Sequence, residues 1–287
     1  MYKKYYFNEN YFESINTYEK AYVLGFIYAD GYNRENLLEL VQKKERVDIL
    51  EKINKELKSN VPFKEYTPGL YTLNLCSTKM CKDLTRLGAF RNKSLTLEFP
   101  KYIEDKYMSS FILGYSGGDG CVWNGKRKRM IVKDSTKKSG YRERIVHNVK
   151  FTFTGVESFI IPLQKYLVEK GIVSKETKLN YSKAKNPNTP TKENVCTMEY
   201  SGRKQMRNLY EFMYNKSLIF CDEKKKKFEE IFCALDEKSS KDTSLIAGIP
   251  EMAISSQASC NNQEEGSSTI PEMGVESSDS KCEALNR

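Results

Sequence analysis

Two short segments hold the residues whose types and spacing point most directly to chemistry. Ala21-Tyr22-Val23-Leu24-Gly25-Phe26-Ile27-Tyr28-Ala29-Asp30-Gly31 and Phe111-Ile112-Leu113-Gly114-Tyr115-Ser116-Gly117-Gly118-Asp119-Gly120 are runs of apolar and small residues that each close on Asp-Gly, with the aspartates 89 positions apart. A helix ending there sets a carboxylate on the negative pole of its own dipole. Ala21 and Gly25 lie four apart, as do Ser110 and Gly114. Each helix therefore has a stripe of small residues at which a second helix can cross at short backbone distance. Parallel packing on those stripes would bring Asp30 and Asp119 together. Two carboxylates that close repel, raising one pKa unless a cation resolves the charge. An open, anionic, oxygen-only site suits Mg²⁺ with bound waters. Such ions activate a water and stabilise a leaving oxygen at a phosphodiester, so neither a serine nor a histidine nucleophile is required.

The charge balance says what would bring a phosphodiester there. The chain has 287 residues and a formal charge of +9. The last fifty residues, 238–287, hold only four Lys/Arg against eight Asp/Glu, so the body before them carries +13. A basic globular body implies a polyanionic partner, of which nucleic acid is the commonest. No apolar run has the roughly 18 residues of a membrane span, which excludes a membrane protein. Eight scattered cysteines with no CxxC pair, accompanied by a single histidine, His147, argue against zinc modules and a secreted disulfide framework. A reducing, cytoplasmic setting is expected.

The elements that must position the two aspartates form one pattern passed through twice. A helix from about Glu19 to Ala29 leads to a strand through Leu37, Leu38, Leu40 and Val41 and then to a helix over 46–58. Two strands about the Pro68-Gly69 turn and a helix over 78–87, stopped by Gly88, complete the first pass. The second opens with a helix from about Asp105 to Gly117 and a strand around Cys121-Val122-Trp123. A long polar loop is expected next, then a returning strand over 145–153 and a helix over 157–170. Strands over 177–183 and 194–200, a helix over 203–214 and a last helix from Asp222 to about Leu235 follow. Helix-strand-strand-helix-strand-strand-helix, given twice, is a tandem α+β duplication. The Ser-rich tail has no aromatic residue and is expected to be disordered.

With both motifs opening the same element order in a basic chain, the sequence resembles the LAGLIDADG homing endonucleases of the single-chain, two-motif type. The resemblance extends over about residues 1–235, including Lys93-Ser94-Leu95-Thr96-Leu97-Glu98-Phe99-Pro100, which is similar to that family's linker between repeats. It implies a pseudo-twofold α+β fold with antiparallel DNA-binding sheets. Its parts would be a first repeat over 1–92, a linker over 93–104, a second repeat with C-terminal helix over 105–237, and the tail. It also implies a site-specific endonuclease that cuts both strands of a long, pseudo-symmetric DNA duplex and leaves short 3′ overhangs. Such a protein is a monomer encoded by a mobile intron, here of bacterial or phage origin. Two or three divalent ions, Mg²⁺, would be shared between Asp30 and Asp119, with Gly31 and Gly120 beside them as metal-site residues. Alignment to the family pattern puts Gln42 in place to order the attacking water, with Thr154 as its rough counterpart. Lys79 and Arg203, which open equivalent helices, are the expected basic groups. Ser116 and Gly117 depart from the family's aromatic and acid, and the added glycine weakens the helix end by roughly 1 kcal/mol. Two alternatives follow: a catalytically degenerate DNA-binding protein, and a maturase whose partner is its own intron RNA.

Strand alternation selects the DNA-facing residues. Thr72 and Asn74 oppose Tyr71, Leu73 and Leu75; Asn148, Lys150 and Thr152 oppose Val149, Phe151 and Phe153; Lys178, Asn180 and Ser182 oppose Leu179 and Tyr181. A β-ribbon fits the major groove, and such polar side chains suit base edges. Lys126, Arg127, Lys128, Arg129, Arg142 and Arg144 belong to a basic stretch expected to contact phosphates, giving affinity that falls with salt. The run Lys224 to Lys227 reads as a solvated helix face.

Overall fold

The computed structural model describes residues 4–91, 93, 96–132, 141–181 and 194–233, and at 126, 127, 129, 131, 132, 141–144, 146 and 147 the backbone alone. The expectation of disorder over 238–287 and that for Ser182 lie outside these residues.

The first motif forms α1, Tyr18–Asp30, whose start is fixed by Thr17 accepting a hydrogen bond from the Lys20 amide. Next come β1 (Gly31–Asn33), β2 (Leu37–Lys43), a 3₁₀ turn (Lys44–Arg46) and α2 (Val47–Glu56). The pair β3 (Lys64–Thr67) and β4 (Leu70–Cys76) leads into α3 (Thr78–Arg86). Gly88 stops α3 with a positive φ of 91°, and a Cβ there would meet the Tyr28 hydroxyl. The second motif forms α4, Asp105–Asp119, followed by β5 (Gly120–Val132), β6 (Tyr141–Val156) and α5 (Glu157–Glu169). Then come β7 (Asn180–Tyr181), β8 (Val195–Ser201), α6 (Arg203–Tyr214) and a last helix, α7, over 222–233.

The two halves share one topology: antiparallel four-stranded sheets ordered β1-β2-β4-β3 and β5-β6-β8-β7. The fold is α+β, with one face of each sheet under helices. Leu38, Leu40, Leu73 and Leu75 are fully buried on the inner face of the first sheet, as are Phe153, Cys196 and Met198 in the second.

α1 and α4 cross at their glycines. A Cβ on Gly25 would overlap the Phe111 carbonyl oxygen and one on Gly114 the Tyr22 carbonyl oxygen, so only glycine lets the backbones approach this closely. Ala21 and Ser110, one turn earlier on each helix, are fully buried.

Three expectations are corrected. The polar loop after Trp123 is a continuation of β5 and β6, paired from Gly120↔Phe153 out to Val132↔Tyr141, where basic residues stand opposite β-branched ones at Arg127↔Val146, Lys128↔Ile145 and Ile131↔Arg142. The strand expected over 177–183 is described only at Asn180 and Tyr181, which form a short edge to β8. α4 runs past the expected end at about Gly117, through Gly118 to Asp119. A Cβ on Gly118 would press on the Ala29 side chain and the Asp30 carboxyl, so this glycine serves close packing at the helix ends. No helix among the described residues is long and apolar enough to cross a membrane.

Candidate active site

Asp30 and Asp119 end α1 and α4, and both motifs turn at once into a strand at Gly31 and Gly120. The carboxylates are close enough to act on each other. Asp119 is pushed up to about 6, first by burial and then by the charge of Asp30, with Lys93 and Lys224 pulling it back. Two half-buried carboxylates with like-charge strain are a fitting place for a divalent cation. No cluster of three or more His, Cys, Asp or Glu side chains occurs among the described residues, so such an ion would take water and substrate oxygens as its remaining ligands.

Two lysines cap these helix ends. Lys93 Nζ donates to Gly31 O at 2.7 Å and to Ala29 O at 3.3 Å. Lys224 Nζ, on a residue 4% exposed, donates to Ser116 O, Gly117 O and Gly120 O at 2.6 Å each and lies 3.2 Å from Gly118 O. Ala29, Gly117 and Gly118 lie in the last turns of their helices, where carbonyls lose their intrahelical partners, and the ammonium groups also oppose the negative dipole ends. Burial pulls both lysines below the ordinary range, Lys224 to about 8, with Arg46 adding repulsion there. Gly31 and Gly120, expected beside the metal, each have their carbonyl in contact with one of these ammonium groups. The reading of Lys224 as part of a solvated face is overturned.

Gln42 is placed as expected, Nε2 donating to Asp30 Oδ2 at 2.6 Å. A cavity beside it is lined by Asp30, Gln42, Arg46 and Glu223, with Arg46 Nε held 2.6 Å from Glu223. A second cavity is lined by Asp119, Tyr115, Thr154, Gly155 and Lys93. Thr154 therefore lies beside the Asp119 site, its Oγ1 3.1 Å from that of Thr197.

Lys79 and Arg203 line neither cavity. Lys79 pairs with Asp83 at 3.1 Å, and Arg203 is exposed at the start of α6. The cause is strand direction. β4 ends at Cys76, opposite Leu37, whereas Gln42 pairs with Tyr71. At about 3.3 Å per residue, α3 starts roughly 17 Å along the sheet from the Asp30 end. α6 likewise follows Ser201, which pairs with Lys150, four positions from Thr154.

On the outer face of the second sheet, Lys150 lies 2.7 Å from Glu199 and over the Trp123 ring, with Asn148 and Thr152 partly exposed on either side of it in β6. Lys178 and Asn180 are exposed, Lys178 outside any strand. Thr72 departs from its expected solvated position. It is 3% exposed because Val41 and Lys64 flank it in register, and its hydroxyl donates to Asn74 Oδ1. The basic stretch lies in the extended ladder, where Arg127 pairs with Val146, Lys128 with Ile145, Arg129 with Arg144 and Ile131 with Arg142; Lys126 faces His147.

The sequence reading missed Arg46, Lys93 and Lys224 as site groups. A signal for Lys224 was present: it falls on the same helical stripe as the buried Cys221, Phe228 and Ile231.

No family model matches the chain, and no curated protein matches it. Solved structures do. The I-LtrWI LAGLIDADG homing endonuclease bound to target DNA superposes with a TM-score of 0.50 at 13% identity, over 82% of this chain and 93% of that one. The LAGLIDADG meganuclease I-AabMI bound to uncleaved DNA covers 79% of this chain and 92% of its own at 15% identity, with a TM-score of 0.48. With two equivalent sheets and two helices crossing at glycines to end on paired aspartates, the chain has the fold of the LAGLIDADG homing endonucleases, both repeats carried on one polypeptide.

Proposed function

We propose that the protein is a site-specific endonuclease that hydrolyses both strands of a DNA duplex with the help of Mg²⁺ held by Asp30 and Asp119. The observation that carries this reading is the pair of neighbouring carboxylates at the ends of two crossing helices, with Asp119 raised by burial and by the charge of Asp30, and each end capped by a lysine. The neighbour I-LtrWI, described as bound to target DNA, lends support through a shared fold.

When bound, the cation would supply Lewis acidity at the scissile phosphate. The chain's own residues do the rest. Asp30 and Asp119 hold position through α1 and α4, and Gln42 fixes the Asp30 carboxylate and offers its amide oxygen to a water. Lys93 and Lys224 place positive charge beside the reacting phosphates. In each strand a water oxygen bonds to phosphorus as the bond to the leaving oxygen breaks. One hydrogen of that water ends on the leaving oxygen, and the other is lost from the new phosphate to solvent. The outer sheet faces and the β5–β6 ladder would lie along the duplex, and we assign the protein, as such nucleases imply, to a mobile intron.

The test is incubation with genomic DNA of a close relative lacking the mobile insertion, in Mg²⁺, with EDTA and Ca²⁺ as controls, followed by sequencing of fragment ends. A single Mg²⁺-dependent site with short 3′ overhangs is expected. Salt-sensitive duplex binding without any cutting would replace this reading with a DNA-binding protein that has lost catalysis, and preference for a structured intron RNA would replace it with a maturase.

A further inference from the structure

The two halves can be aligned by their own ladders, and the alignment shows that the sites are not equivalent. Gly31 pairs with Leu40 in the first sheet, and Gly120 with Phe153 in the second. Leu40 therefore corresponds to Phe153, and counting on along the strands Gln42 corresponds to Gly155. Thr154 is displaced by one residue and matches Val41.

At the Asp119 site there is thus no side chain where Asp30 has its glutamine. The space is filled from the helix instead. A Cβ on Gly155 would overlap the Tyr115 hydroxyl, which donates to Thr154 O at 2.7 Å and lines the same cavity as Asp119. The Tyr115 ring is 1% exposed and packs on Phe159, with centroids 4.1 Å apart, so the hydroxyl has little freedom to leave. On α1 the position four before the aspartate is Phe26, which has no hydroxyl to offer. Glutamine on the strand and phenylalanine on the helix in one half have become glycine on the strand and tyrosine on the helix in the other. Arg46, from the turn that precedes α2, lines the Asp30 cavity, whereas no arginine lines the Asp119 cavity.

We propose that Tyr115 is the positioning residue of the Asp119 half, its hydroxyl standing where Gln42 stands in the other half, and that the two strands are consequently cut at unequal rates. The inference rests on the endonuclease reading. A tyrosine hydroxyl that donates to a carbonyl keeps lone pairs to accept a hydrogen from a water, as the glutamine amide oxygen does. It brings no second donor, and its half has no guanidinium, so the Asp119 half is the slower one.

The experiment uses the full chain and a duplex carrying the cleavage site, labelled separately on each strand, with wild type, Tyr115→Phe, Gly155→Ala and Gln42→Leu compared. Wild type is expected to nick one strand ahead of the other, and Tyr115→Phe to slow the lagging strand about tenfold further while leaving the leading strand unchanged, an effect in the usual range for misplacing a reacting group. Gly155→Ala, which pushes on the same hydroxyl, should slow that strand too, and Gln42→Leu the other. A general loss of structure would slow both strands together. Equal strand rates in the wild type, or a Tyr115→Phe protein with both strands at wild-type rates or both slowed alike, would overturn the inference and leave the endonuclease reading standing. A wild type that cuts neither strand would overturn both.

Discussion

At the scale of single residues, the site is a balance of buried charge. Asp119 titrates near 6 in the metal-free protein, above the usual 3.8, because it is buried beside Asp30. Between those two values the folded state binds more protons at this group than the unfolded state, so its contribution to stability falls as pH rises through that window and then stays low. Asp119→Asn should therefore gain stability relative to wild type on going from about pH 4.5 to about pH 7.5, read as the difference in urea midpoint without divalent ions. A difference that is the same at both pH values would show that Asp119 is not perturbed. Lys224 is the counterpart. Lys224→Met removes the ammonium that the carbonyls of Ser116, Gly117 and Gly120 share. The expected loss is about 3 kcal/mol in chemical unfolding, the scale for removing one member of a buried charged contact.

At the scale of elements, the helix crossing and the α7 strap decide whether those residues meet. Gly25→Ala would drive a methyl into the Phe111 carbonyl, and its cost is expected at about 1–3 kcal/mol in a thermal or urea melt, the range for overpacking a tight contact. An unchanged melt would mean that the helices do not cross there. α7 is tied to the first half by Arg46–Glu223 at 2.6 Å and Lys52–Asp222 at 2.7 Å, through the two residues that lead directly into Lys224. The two motif helices, their crossing glycines and the duplicated element order were legible in the sequence because they follow from local periodicity and from a strong repeated pattern, whereas Gln42 came from the family resemblance. The basic groups were not. Lys79 and Arg203 were chosen for opening equivalent helices, but the antiparallel run of β4 and β8 carries those helix starts away from the carboxylates. Arg46, Lys93 and Lys224 reach the site only through tertiary packing, Lys93 from the linker and Lys224 from the last helix, and no spacing rule links them to the motifs. The exchange of Gln42 for Gly155 and Tyr115 became visible only with the strand register, since a one-residue slip had pointed to Thr154.

For the whole molecule, a body charge of +13 and an extended basic ladder imply that DNA affinity is mostly electrostatic. The logarithm of the binding constant should fall linearly with the logarithm of salt concentration, with a slope of about −0.9 for each phosphate neutralised. A flat salt profile would remove the basis for placing the duplex along these sheets. The measurement closest to the main conclusion is double-strand cleavage of the mapped site by Asp30→Asn and Asp119→Asn in Mg²⁺, with duplex binding followed in parallel. The expected result is that each variant binds DNA nearly as the wild type does and linearises a site-bearing plasmid at least about a hundredfold more slowly, the scale for losing a group that stabilises charge in the transition state. If either variant cuts both strands at the wild-type rate, the paired carboxylates at the ends of α1 and α4 are not the catalytic centre.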